Sequence, residues 1–336
     1  MSLNTLEEIA SYIVSDGKGI LAADESNPTC TKRFDTIGVE STEESRRDYR
    51  EMLFRSGGIQ GNIGGVILFD ETIRQNAKDG TSLVDLMNSQ GALPGIKVDK
   101  GLQPIGDSDE TVTVGLDGLD ERLKEYSLLG AKFTKWRAVI KIGNNLPTDN
   151  CIDANMKALA DYAKVVQDNG MVPMVEPEVL MEGDHSIEEC FKATERSLKS
   201  LFHHLKENGV NIKGTILKPN MVTSGSTCSN QASINEVAEQ TLECLKANVP
   251  SELPAITFLS GGQSELLATA HLDAMNKIGG FDWKLSFSFG RALQAPTLKA
   301  WMGKPENVFI AQDALSHRAK MNQLAALGQW DKGLED

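Results

Sequence analysis

The stretch Gly214-Thr-Ile-Leu-Lys218-Pro-Asn-Met-Val222 sets a lysine at the end of a short apolar run and directly before a proline. Ile216 and Leu217 favour a strand, and Pro219, which fixes its own φ and lacks an N–H, keeps its predecessor out of the helical region. Lys218 therefore belongs at the C-terminal mouth of a strand. Alone, such a residue reads as a solvated strand end; its meaning depends on what the remaining chain brings beside it.

On either side of this run the same unit recurs, a short apolar segment followed by a longer helical pattern, which is the mark of a parallel sheet built from βα units. The segments lie near Gly19–Asp24, Gly65–Phe69, Gly95–Val98, Phe133–Arg137, Val172–Glu178, Gly214–Lys218, Ala255–Ser260 and Leu285–Ser288. Eight of them are what a closed (β/α)8 TIM barrel requires. Val139-Ile-Lys-Ile142 can be read as a separate strand, and Gly57-Gly58 and Gly64-Gly65 bracket a loop before the second run.

Helix starts are also legible. Ser41-Thr-Glu-Glu44, Ser186-Ile-Glu-Glu189 and Ser233-Ile-Asn-Glu236 fit the S-x-x-E capping box. Ile152, Met156, Leu159, Ala163 and Val166 make one apolar helical face ending at Gly170, and Ile187, Phe191, Leu198, Leu201 and Leu205 make another ending at Asn208-Gly209. No linker or low-complexity tract interrupts the alternation, so residues 1–336 are expected to form one domain, with about 306–336 as a helix and a polar tail.

Composition narrows the function classes. With 40% hydrophobic and 24% charged residues the chain suits a globular protein with a large core. A net charge of -13 disfavours nucleic acid or an anionic membrane as partner. The five cysteines, Cys30, Cys151, Cys190, Cys228 and Cys244, show no C-x-x-C pair, which favours reduced thiols over a disulfide framework or zinc cage. Met1-Ser-Leu-Asn-Thr-Leu-Glu-Glu-Ile-Ala10 lacks the basic and apolar regions of a secretory signal, so a non-secreted protein is expected, cytoplasmic or within an organelle.

Barrel chemistry sits at the C-terminal strand ends, and here those ends carry charge. The first ends in Asp24-Glu25-Ser26, the third carries Lys97, the fourth Lys135 and Arg137, the fifth Glu176 and Glu178, and the sixth Lys218. Residues two apart on a strand face the same way, which pairs Lys135 with Arg137 and Glu176 with Glu178 in direction. The seventh and eighth ends read Ser260-Gly-Gly-Gln263 and Ser288-Phe-Gly-Arg291, where glycines open backbone amides to an anion and serine and arginine add donors. His185, His203, His204, His271 and His317 show no metal-ligand spacing and are read as surface or packing residues.

These motifs together resemble class I, Schiff-base-forming fructose-1,6-bisphosphate aldolase over nearly the whole length. The carriers are Gly17-Lys-Gly-Ile-Leu-Ala-Ala-Asp-Glu-Ser26, Gly95-Ile-Lys-Val-Asp-Lys-Gly101, Lys135-Trp-Arg137, Val175-Glu-Pro-Glu178, Leu217-Lys-Pro-Asn-Met-Val222, Phe258-Leu-Ser-Gly-Gly-Gln-Ser-Glu265 and Ser286-Phe-Ser-Phe-Gly-Arg-Ala-Leu-Gln294. The turn Asn27-Pro-Thr-Cys30 looks more like plastid and cyanobacterial members than vertebrate ones. Members commonly end in a tyrosine that reaches the site; Gly333-Leu-Glu-Asp336 has none, and no role is carried over for it.

The resemblance implies a metal-independent lyase without cofactor, acting on small sugar phosphates of glycolysis, gluconeogenesis or the Calvin cycle, and assembled as a homotetramer. It implies that Lys218 forms the imine, that Glu176 moves the main proton, and that Glu178, Asp24 and Lys135 surround the reacting carbons. Ser260, Gly261, Gly262, Ser288, Gly290 and Arg291 would hold the phosphate nearer the ketone, and Ser26, Thr29, Arg33, Lys97, Arg137 and Arg46 the distal one. A lysine attacks only as the free amine, which is scarce in water at pH 7, so burial beside a second cation, Lys135, is the expected means of freeing it. Another Schiff-base barrel lyase, transaldolase-like or acting on a keto acid, and a non-enzymatic phosphate-binding or scaffolding barrel are the alternatives.

Overall fold

The computed structural model of the chain describes residues 3–335; Met1, Ser2 and Asp336, which belong to the N-terminal stretch and the expected polar tail, lie outside the described residues. In chain order the strands are β1 Gly19–Ala23, β2 Ile63–Leu68, β3 Leu93–Lys97, β4 Leu102–Pro104, β5 Thr111–Thr113, β6 Phe133–Ile140, β7 Val172–Val179, β8 Ile216–Leu217, β9 Ala255–Phe258 and β10 Lys284–Phe289. Eight close a parallel barrel in the order β1-β10-β9-β8-β7-β6-β3-β2, with helices between them, as a (β/α)8 TIM barrel. Strands β4 and β5, absent from the sequence reading, form an antiparallel hairpin outside it. Leu102–Pro104 is exposed along its length, so no burial pattern marks it. Val139 and Ile140 are not a separate strand: they extend β6 along β7, opposite Glu178 and Val179.

The barrel interior is an apolar plug. Ile20, Ala22, Ile67, Phe133, Met174, Ile216 and Ala255 fill it, and Ile9, Ala10 and Ile13 of the helix Leu6–Ile13 close its N-terminal end. That helix is started by a capping box between Thr5 and Glu8. Two glycines make this packing possible. A Cβ at Gly95 would stand 2.3 Å from Cζ of Phe133, and one at Gly64 would stand 2.0 Å from the carbonyl oxygen of Ile13. β2 thus starts at Ile63, two residues ahead of the expected Gly65, and takes in Gly64, against which the closing helix packs.

A larger core lies between the outer strand faces and the helices. The apolar face of Asp149–Asp168 is buried as expected, and so are Ile187, Leu198, Leu201 and Leu205 of Ile187–Glu207, with Phe191 half-buried. The capping boxes at Ser186 and Ser233 form; the box expected at Ser41 is instead made by Thr42 with Ser45, one residue later. The C-terminal region departs from a free polar tail. After the helix Val308–Ala326, the buried Trp330 donates from its backbone N–H to Asp273 at 3.0 Å, and its indole N–H donates to Glu335 at 2.9 Å. Glu335 in turn pairs with Arg318. Among the described residues no helix is long and apolar enough to cross a membrane.

Candidate active site

β8 is only two residues long, and the residues after it are held by its neighbours. The Lys218 N–H donates to the Val175 carbonyl at 2.8 Å, and Leu259 N–H donates to the Pro219 carbonyl at 3.1 Å, so Lys218 is tied between β7 and the end of β9. Asn220 adds a side-chain clamp: its Oδ1 accepts from Val179 N–H at 3.0 Å and its Nδ2 donates to Thr194 at 3.0 Å. Lys218 is 4% exposed. The lysine at the strand mouth is buried rather than solvated.

Its ammonium stands 3.0 Å from Oε1 of Glu176, whose Oε2 lies 3.1 Å from Nζ of Lys135. Lys135 also pairs with Asp24 at 2.8 Å. Acid and base thus alternate along the row Asp24, Lys135, Glu176, Lys218, with the last three buried and Asp24 half-buried. For Asp24, Glu176 and Lys135 burial disfavours the charge, yet the opposite charges beside them prevail. Asp24 is held well below the usual carboxylate range, chiefly by Lys135 and then Lys218, and Glu176 is lowered by Lys135, Lys218 and Arg137. Lys135 is pushed up by Asp24 and Glu176 and stays protonated. Lys135 is therefore not the bare second cation expected beside Lys218, because two carboxylates already share its charge.

These groups line a cavity of about 270 Å³ at the barrel mouth. On its wall six cationic side chains, Arg33, Lys97, Lys135, Arg137, Lys218 and Arg291, face four carboxylates, Asp24, Glu25, Glu176 and Glu178. The balance favours an anionic ligand, in a protein whose own net charge is -13. Glu178 is committed to Arg137, and Lys97 to Asp99 at 2.7 Å.

Two helix starts flank the cavity. On one side Gly290 caps the helix Arg291–Trp301 without a side-chain bond, Ser288 Oγ is buried with no partner, and Arg291 is exposed and has no ion pair among the described residues. Ser260 and Gly261 adjoin them; Gly262 does not itself line the cavity, but a Cβ on it would lie 3.7 Å from Arg291. On the other side Ser26 begins the helix Asn27–Asp35, with its hydroxyl 3.1 Å from that of Thr29 and Arg33 one turn further. Open amides at helix starts attract anions. The expected residues line this cavity with two exceptions, Gly262, which lies just behind Arg291, and Arg46. Arg46 stands away from the cavity wall, its guanidinium engaged by both oxygens of Glu71 at 2.7 and 2.6 Å.

Sequence reasoning did not single out Glu25 as a site residue. It lines the cavity and gathers Arg33, Arg50 at 2.7 Å and Gln294 at 2.9 Å. Its place between Asp24 and Ser26 was the available signal, but strand alternation points it away from Asp24 and gave no reason to expect a return. Leu259 is a second unforeseen lining residue, the apolar step between β9 and Ser260.

The family model for class-I fructose-bisphosphate aldolase matches residues 5–336. The chain belongs to the class I fructose-bisphosphate aldolases. A probable class 1 fructose-bisphosphate aldolase of Xanthomonas axonopodis pv. citri is 54% identical over 332 residues, covering 98% of this chain and 99% of that protein. Cytosolic fructose-bisphosphate aldolase 4 of Arabidopsis thaliana is 51% identical over 95% of this chain and 82% of its own length. Among solved structures, Plasmodium falciparum aldolase, in complex with TRAP and a small-molecule inhibitor, superposes with a TM-score of 0.96 at 47% identity, covering 98% of this chain and 95% of that one. As an aldolase of this class, the protein is a carbon–carbon lyase that reversibly cleaves fructose 1,6-bisphosphate to dihydroxyacetone phosphate and glyceraldehyde 3-phosphate through a lysine Schiff base.

Proposed function

We propose that Lys218 is the Schiff-base lysine and Glu176 the principal proton carrier of this aldolase. The observation that supports this most is the 3.0 Å contact between the buried Lys218 ammonium and Glu176, with Lys135 and Asp24 completing the charge set. Glu176, kept ionised by its cationic neighbours, takes a proton from Lys218, and the free amine adds to C2 of the substrate. Glu176 returns its proton to the C2 hydroxyl, which leaves as water, and a protonated imine remains. A carboxylate then removes the C4 hydroxyl proton, the C3–C4 bond breaks, and its electrons move into the iminium as an enamine. Glyceraldehyde 3-phosphate leaves; protonation at C3 and hydrolysis free dihydroxyacetone phosphate and restore Lys218.

Lys135 holds Asp24 and Glu176 in place and keeps both charged, and Glu178 with Arg137 borders the same carbons. The ketone-side phosphate is assigned to Ser260, Gly261, Gly262, Ser288, Gly290 and Arg291, supported by the unpartnered Ser288 hydroxyl and the open helix start. The distal phosphate is assigned to Ser26, Thr29, Arg33, Lys97 and Arg137. Arg46 is not part of this assignment, since Glu71 already holds it. Two anchored phosphates keep the breaking bond in register, which is catalysis by positioning.

Borohydride trapping with dihydroxyacetone phosphate tests the scheme. Wild type gives one labelled lysine per chain and Lys218→Ala none, while cleavage is indifferent to EDTA; full labelling of Lys218→Ala, or loss of activity in EDTA, refutes it. We further propose that residues 1–336 are one cooperative domain and assemble as a homotetramer, checked by a single unfolding transition and by sedimentation. The turn Asn27-Pro-Thr-Cys30 supports kinship with plastid and cyanobacterial members, and hence a cytoplasmic or stromal setting, which whole-sequence phylogeny and fractionation check.

A further inference from the structure

His271 sits in the second turn of the helix Glu265–Ile278 and is only 2% exposed. Its Nδ1 lies 2.6 Å from Oε1 of Gln263, the residue that ends the Ser260-Gly-Gly-Gln263 loop. With Gln263 presenting a carbonyl oxygen, the ring carries its proton on Nδ1 and donates it. Nε2 is buried with no partner among the described residues, so this one bond is the ring's whole polar engagement. Burial alone pushes its pKa down to about 4, which leaves it neutral at physiological pH.

Gln263 is itself a junction. Its backbone N–H donates to the Ser260 carbonyl at 3.0 Å, closing a turn in which Gly261 and Gly262 take φ of +51° and +87°. Its Nε2 reaches the sulfur of Met221 at 3.6 Å, three residues after Lys218. An amide free to rotate about its last torsion could present either end to Met221; the donor on His271 decides which.

We propose that His271 is a positioning residue for the ketone-side phosphate: its Nδ1–H fixes the Gln263 amide, and Gln263 holds the Ser260–Gly262 turn against the Lys218–Met221 segment. The proposal rests on the reading of that turn as a phosphate site. It gives a specific task to a histidine whose spacing suggests mere packing.

Fructose 1-phosphate, which carries only the ketone-side phosphate, is the probe. His271→Leu and Gln263→Met each raise its KM by about three- to tenfold, the weight of one positioning hydrogen bond, with kcat within about twofold of wild type. The two effects do not add in the double variant. His271→Asn, whose amide nitrogen falls where Nδ1 stood, restores KM to within about twofold. KM unchanged in His271→Leu or, should that variant not fold, in Gln263→Met overturns the proposal if Arg291→Ala still raises KM; KM unchanged in Arg291→Ala as well overturns the reading of the turn. A fall in kcat at constant KM also overturns it. In the wild-type protein, ring nitrogen chemical shifts at pH 7 report the Nδ1–H tautomer, and an Nε2–H tautomer is incompatible with the proposal.

Discussion

Lys135 has two carboxylate partners and no solvent to fall back on. Its removal would leave the half-buried Asp24 and the buried Glu176 as neighbours of like sign without the cation they share, an arrangement that raises a carboxylate's pKa. In Lys135→Met we expect kcat to fall by about two orders of magnitude or more, the usual weight of a misplaced proton transfer. The acid limb of kcat/KM should also move toward neutral pH, which a pH–rate profile reads. Asp24 carries a stability consequence. Its folded pKa is depressed below the unfolded value of about 3.9, so its contribution is present above that pH and is lost as pH falls below it. Urea unfolding between pH 7 and 3 should therefore show a steeper acid loss in wild type than in Asp24→Asn. Equal slopes would mean that Asp24 gains nothing from its cationic neighbours on folding.

Among the elements, the strand mouths were the legible part. Lys218 before Pro219, the i,i+2 pairs on β6 and β7, and the glycine-bearing ends of β9 and β10 are local patterns, and all these ends meet at the one cavity. What escaped reading is decided by partners distant in sequence. Glu25 turns to the cavity because Arg50, 25 residues on, and Gln294, 269 residues on, hold it. Arg46 was expected in the site but is taken by Glu71, 25 residues away. Gly64 reads as the edge of a loop until the helix Leu6–Ile13 is laid against it. The same dependence makes β3 sensitive. Gly95→Val sets a branched side chain where Phe133 already lies, with no room for even a Cβ at 2.3 Å. We expect a loss of about 3 kcal/mol or more by urea denaturation, since overpacking and strain add, and partial recovery in combination with Phe133→Leu. A wild-type-like midpoint in the single variant would show that the barrel interior can yield.

For the molecule as a whole, the chain's last described residues act as a fastening rather than a loose end. Trp330 is buried against the helix Glu265–Ile278, held by Asp273 and by Lys277, whose ammonium donates to the Trp330 carbonyl at 2.9 Å. Glu335 then binds Arg318 and His317 on the helix Val308–Ala326. Trp330→Ala should cost about 3 kcal/mol, the usual effect of emptying a site of that size, and leave KM for fructose 1,6-bisphosphate within about twofold. Denaturant midpoints and steady-state kinetics on the same preparation check both halves of that statement.

The plug made by Leu6–Ile13 and Phe133 turns the barrel into a cul-de-sac. With the floor sealed, everything enters and departs through one doorway, and whatever is fastened to Lys218 occupies the deep end. Traffic must then be strictly last-in, first-out: the aldehyde half vacates before the ketone half can. Product inhibition should carry that imprint, with dihydroxyacetone phosphate competing with the substrate for the empty room and glyceraldehyde 3-phosphate inhibiting without competing for it.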